Sequence, residues 1–137
     1  MYAWTHMMIT ASGKPVRGEY WPCCNWTPHN DTILKNKKFD VQNKTIKEFW
    51  QSDEMNQIRN MMLEGKAIAG CTACYQEERN GTASLRKQEN NGWSRIKEFP
   101  KIEDTIQRWK QTGVCDDPIS FYSVGQFLQA SFMDSWM

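Results

Sequence analysis

Apolar and polar positions along the chain change rhythm more than once, and each rhythm predicts a different element. From Ala3 to Thr10 they alternate enough to read as a strand. Ser12-Gly13-Lys14-Pro15 then reads as a turn, and Val16 to Trp21 as the returning strand of a hairpin. The hairpin delivers the chain to Cys23-Cys24. Residues 25–43 are polar, with Pro28 and the pair Asn30-Asp31, and read as loop with room for one short strand.

Helical spacing takes over next. Thr45-x-x-Glu48 has the form of a capping box and opens a short helix with Ile46, Phe49 and Trp50 on its apolar side. Ser52 or Asp53 caps a second helix, which sets Met55, Ile58 and Met62 in one stripe and ends at Gly65. The segment Gly70-Cys71-Thr72-Ala73-Cys74 falls in the loop beyond it. A third helix is predicted over Tyr75 to Gln88, with Gly81 a weak point inside it, and Asn90-Asn91-Gly92 closes this part. Ile102, Ile106 and Trp109 mark a further amphipathic helix stopped near Gly113. Ile119 to Tyr122 reads as a strand, and Val124, Phe127, Leu128 and Phe132 as a final helix. The predicted class is α+β: a small domain with an N-terminal β-hairpin followed by short helices around a cysteine metal site.

Composition narrows the possibilities. A chain of 137 residues is one compact domain, or a small domain with a tail. Hydrophobic residues make up 39%, and mean hydropathy is −0.74, so the core is modest and a metal staple would help it. Seven Trp and eight Met can fill an irregular core, and neither number implies a cofactor. A net charge of +1 gives no case for nucleic acid or an anionic membrane, and Lys35-Asn36-Lys37-Lys38 reads as a solvated loop. No stretch has the length of a membrane helix. The apolar run from Met7 to Ile9 lacks the basic lead and long core of a signal peptide, so a cytoplasmic location is expected.

That location gives the five cysteines their meaning. In a reducing compartment, clustered cysteines more often bind metal or do redox work than form disulfides, and an odd number excludes a complete set of bridges. Cys71-x-x-Cys74 aims two soft sulfurs at one centre and needs further ligands from elsewhere, for which Cys23-Cys24 is the evident source. Neighbours in an extended chain point to opposite sides, so Cys23 is the expected ligand and Cys24 a reserve. Cys115 reads as a bystander, His6 as a packed strand residue and His29 as a loop residue. Competing uses are a redox dithiol, for which the surrounding βαβ pattern is missing, and inert buried cysteines. Three functional classes remain at this level. They are an iron–sulfur site, a structural zinc module on Cys23, Cys24, Cys71 and Cys74, and a helical interaction protein with incidental cysteines.

A longer constellation goes further. It runs through Trp4-Thr5-His6-Met7, Gly18-x-x-x-x-Cys23-Cys24, Thr45 to Trp50, and Ile58 to Gly65. It continues with Cys71-x-x-Cys74-Tyr75, Glu77-Glu78 and Ser84-Leu85-Arg86. In these residues, over about positions 2 to 90, the chain resembles the N-terminal "twitch" auxiliary cluster domain, related to SPASM domains, of some radical SAM proteins. The resemblance implies a β-hairpin and short helices around one 4Fe–4S cluster, with Cys23, Cys71 and Cys74 as ligands. The family usually has another cysteine at a place upstream of Met1, so Cys24 or an external group would complete the set. In related proteins a strand like Ile119 to Tyr122 leads into the Cys-x3-Cys-x2-Cys loop that binds S-adenosylmethionine's cluster; residues 123–137 contain no cysteine.

The resemblance therefore implies an auxiliary module, for electron relay or substrate positioning, that does not cleave S-adenosylmethionine by itself. Residues 1–92 would be the cluster domain, and residues 93–137 a helical linker and truncated start of a radical SAM core. Implied partners are such a core or a peptide or protein substrate. Arg59 and Arg86 would pair with Glu64, Glu77 or Glu78, or donate to cluster sulfurs; each taken singly reads as solvated helix surface. Trp4, Trp21, Trp26 and Trp50 would either wall the cluster from water or fill the core.

Overall fold

The computed structural model describes residues 2–10, 18–37, 39–93, 102–117 and 120–123. The chain opens with one helical turn, α1 (Tyr2–Thr5), and runs straight into β1 (His6–Ile9). The predicted strand from Ala3 is therefore shorter at its start. The carbonyl of Ala3 accepts the Arg59 Nε–H at 2.7 Å, so a side chain takes the place a neighbouring strand would fill. β1 pairs antiparallel with β2 (Tyr20–Trp21), in the register Met8 with Trp21 and Ile9 with Tyr20. The predicted hairpin is present, with its returning strand described only from Gly18 onward. Residues 39–41 lie alongside it, through Tyr20 N–H to Phe39 O and Val41 N–H to Gly18 O, both 2.9 Å. This is the short extended stretch expected within the polar loop.

The helices follow their caps. In α2 (Ile46–Trp50) the Thr45 hydroxyl accepts the Glu48 N–H at 3.1 Å, and the Glu48 carboxylate accepts the Thr45 N–H at 2.7 Å. Ser52 caps α3 (Asp53–Leu63) by accepting the Met55 N–H at 3.2 Å, and Gly65 follows its end as expected.

Two predictions need correction beyond that point. The Cys71-x-x-Cys74 segment is not a loop: Ala69–Cys71 form a 3₁₀ turn that continues into α4 (Thr72–Arg79), with Cys74 inside the helix. A single helix over Tyr75 to Gln88 is also absent. Gly81 adopts φ 76°, and the N–H groups of Gly81 and Thr82 close on the carbonyls of Glu78 and Glu77. That is a helix-terminating pair of bonds in a conformation that favours glycine. The chain restarts as α5 (Leu85–Trp93), which runs through Asn90-Asn91-Gly92 instead of ending there.

α6 (Ile102–Thr112) carries Trp109 into the core and stops at Gly113, as its pattern predicts. β3 (Ser120–Ser123) then pairs parallel with β1, His6 opposite Ser120, giving the sheet order β2-β1-β3. A parallel return needs a long crossover, and the helices supply it. β1 is the central strand, and all four of its residues are buried, His6 included. The predicted final helix from Val124 to Phe132 lies outside the described residues.

The core gathers on the sheet and on α2 and α3. Phe49 stacks on Tyr20 and meets Phe39 edge-on, and Trp4 meets Trp109 edge-on at 6.2 Å. Gln51 clamps the backbone of Cys115 from both sides, donating to its carbonyl at 2.7 Å and accepting its N–H at 3.0 Å. Trp50 Nε1 donates to Asp116 O at 2.7 Å. These bonds fix the strand-bearing end of the chain to α2. Among the described residues no helix is long and apolar enough to cross a membrane.

Candidate metal centre

Two chain segments meet to form one cavity. The first leaves β2 through Pro22 and bends at once, with Trp26 N–H donating to Cys23 O at 3.3 Å. The second is the 3₁₀ turn and the first turn of α4. A backbone bond, Thr27 N–H to Gly70 O at 2.8 Å, ties the two together. The Trp26 indole lies against Gly70 so closely that a Cβ there would stand 2.2 Å from its Cζ2 atom. Gly70 is thus a packing requirement: only a bare Cα lets the indole set the gap between the cysteine segments.

The cavity enclosed is about 510 Å³, with Cys23, Cys71 and Cys74 on its wall beside Trp4, Trp26 and Asn25. Cys74 is buried, and Cys23 and Cys71 are half-buried. Among the described residues no group of three His, Cys, Asp or Glu side chains is drawn together to grip a single ion. The thiols surround a space and do not meet at a point.

Burial pushes the Cys23 thiol up to about 12, opposed by the Asn25 backbone N–H and reinforced by Cys71, Cys24 and Cys74. Burial likewise pushes Cys71 up to about 11, with Cys74 adding to the effect and Arg86 and the Tyr75 side chain opposing it. Without metal these two sulfurs are protonated at neutral pH, so metal would displace protons on binding. A supporting chain stands behind them. Tyr75 accepts the Ile68 N–H at 3.2 Å, Arg86 lies 5.0 Å over the Tyr75 ring, and Glu78 accepts the Arg86 Nε–H at 2.6 Å. The hydrogen bonds from Arg86, and then from Ser84, hold the Glu78 carboxyl down at about 2.

Several expected residues fall elsewhere. Cys24 is half-buried and is not part of the cavity wall. Cys115 is 1% exposed and packs in the core near Arg59, apart from this cavity. His29 is exposed in its loop. Arg86 does pair with Glu78, on the exposed side of α5. Arg59 corrects its reading as helix surface: it is 0% exposed and pairs with none of the three glutamates. Its guanidinium bonds Ala3 O and Asn56 Oδ1 and lies 4.7 Å over Trp50, and desolvation lowers it to about 10. Of the four tryptophans, Trp4 and Trp26 wall the cavity, while Trp50 is core and Trp21 packs against it half-buried. The sequence reading missed Asn25, whose Nδ2 donates to the Cys74 sulfur at 3.3 Å. Its one signal was position, immediately after the paired cysteines.

A family model for the SPASM iron–sulfur cluster-binding domain matches residues 1–75. The chain belongs to the SPASM family. The matched segment contains both cysteine pairs and ends one residue past Cys74. Neither a curated protein nor a solved structure matches the chain. The family's cofactor fits the SPASM domain seen here. Three soft thiols face one cavity, and Trp4, also on its wall, buries an indole N–H that has no hydrogen-bond partner among the described residues. A buried donor of that kind is ordinarily satisfied, and cluster sulfur is an acceptor of suitable chemistry. Iron–sulfur binding is therefore the chemistry of this SPASM domain.

Proposed function

We propose that this SPASM domain holds a 4Fe–4S cluster on Cys23, Cys71 and Cys74, as the auxiliary module of a cytoplasmic radical SAM-type protein. One observation carries the reading: thiols from two distant segments line a single cavity in a chain of this family. Such a cluster supplies one-electron chemistry, or an iron to which a substrate group binds. The chain's own residues hold and shield it. Trp26 on Gly70 fixes the spacing of the ligand segments, Trp4 and Trp26 exclude water, and Tyr75 and Arg86 brace the helix that presents Cys71 and Cys74. Cys24 or an external group completes the ligand set. Residues 1–92 are the auxiliary unit, and residues 93–137 lead toward a radical SAM core. A peptide or protein is the substrate class for positioning, with electron relay the other use of the cluster.

The ligand set predicts a ranked series. In chains reconstituted anaerobically with iron and sulfide, Cys71→Ala and Cys74→Ala lose bound iron. Cys23→Ala loses more than Cys24→Ala, and Cys115→Ala keeps the wild-type iron content even where it lowers stability. Iron analysis on the five variants checks the order, and wild-type iron in Cys71→Ala would remove the site.

A further inference from the structure

We propose that the side-chain amide of Asn25 is a hydrogen-bond donor that raises the reduction potential of the cluster on Cys23, Cys71 and Cys74. The proposal rests on the cluster reading above and adds a tuning role to it. Asn25 touches both halves of the site. Its Nδ2 donates to the Cys74 sulfur at 3.3 Å, across a sequence separation of 49 residues, and its backbone N–H lies near enough to the Cys23 sulfur to oppose the rise of that thiol's pKa. It is half-buried on the cavity wall. Its loop is held on both sides, by Trp26 N–H to Cys23 O and by Thr27 N–H to Gly70 O. The amide is therefore presented to sulfur by a fixed backbone.

The direction of the effect follows from charge. Reduction adds one electron and breaks no bond, and the added negative charge is shared with the ligand sulfurs. An N–H dipole directed at such a sulfur stabilises the more negative state more than the less negative one, so the donor favours reduction. Partial burial weakens solvent screening of that dipole. Asn is neutral at all working pH values, so the bias it supplies does not depend on a proton of its own. No other side chain is shown donating to the Cys74 sulfur among the described residues.

The test uses the full chain, reconstituted anaerobically with iron and sulfide and titrated with dithionite in the presence of redox mediators, the cluster being followed by electron paramagnetic resonance. Asn25→Leu, close in shape but without a donor, is expected to shift the potential to more negative values at wild-type iron content. Asn25→Asp is expected to shift it further, because a carboxylate adds negative charge beside the sulfur. Asn25→Gln, which keeps an amide, is expected to move it less than Asn25→Leu. An unmoved potential in both Asn25→Leu and Asn25→Asp at full iron content overturns the proposal. Loss of iron from both also overturns it, since Asn25 would then be a clip for assembly and not a donor that sets potential. A wild-type chain that takes up no iron would sink the cluster reading itself, an outcome separate from an iron-bound chain whose potential ignores Asn25.

Discussion

Gly70→Ala is expected to destabilise the protein by about 3 kcal/mol, at the upper end of what overpacking a core costs, and to lower its iron content as well. The added methyl would stand 2.2 Å from a ring atom of Trp26, inside any tolerable contact. A flexible side-chain end could swing aside, but this is the rigid face of an indole that is 5% exposed. Either the ring leaves its place or the 3₁₀ turn bearing Cys71 retreats, and the Thr27–Gly70 backbone bond opposes the second. Both routes change the spacing of the two cysteine segments, so stability and cluster loading fall together. Thermal melts should show a drop of roughly 10 °C for a domain of this size. Trp26→Leu in the Gly70→Ala background should recover part of the loss, because the smaller side chain makes room for the methyl. A wild-type melting temperature in Gly70→Ala would show that the indole does not set the gap.

Arg59→Ala is expected to be as damaging, at about 3–4 kcal/mol, for a different reason. The guanidinium is fully buried, bonds the Ala3 carbonyl and the Asn56 side chain, and lies on the face of Trp50. Truncation leaves a void among large side chains and strips a buried carbonyl of its donor. Asn56 Oδ1 would keep only the Trp109 Nε1–H, which it accepts at 2.9 Å. Arg59→Met keeps most of the volume and removes a costly buried charge, so its loss should be smaller, about 1–2 kcal/mol. Denaturant unfolding of the two variants checks the order. Equal stability of Arg59→Ala and wild type would contradict the buried role.

Arg59 also shows where the sequence stops being informative. Its neighbours Ile58 and Met62 follow the apolar stripe of α3, and nothing local distinguishes a buried arginine from a solvated one. The distinction is made by Ala3 and Trp50, partners 56 and 9 positions away. Elements written in local chemistry were legible: the Thr45–Glu48 capping box, the Ser52 cap, and the stops at Gly65 and Gly113. The Gly81 break was visible only as a weakness, because a glycine within a helical pattern reads the same whether the helix crosses it or ends there. The first strand began late since a tertiary hydrogen bond claimed Ala3. For the site, residue type and spacing named Cys71 and Cys74 with Cys23, and Cys24 in reserve; the fold places the first three on one cavity and leaves Cys24 off its wall. The hydrogen bond of Asn25 to the Cys74 sulfur and the packing of Trp26 on Gly70 depend on how two segments dock. No periodicity encodes that.

Whether these thiols hold an iron–sulfur cluster is read from the iron and acid-labile sulfide content of the anaerobically reconstituted full chain. The expected result is a brown protein with about four irons and about four sulfides per chain, as a single 4Fe–4S cluster requires. A colourless protein that retains neither, or one that instead retains a single zinc ion without sulfide, would contradict it.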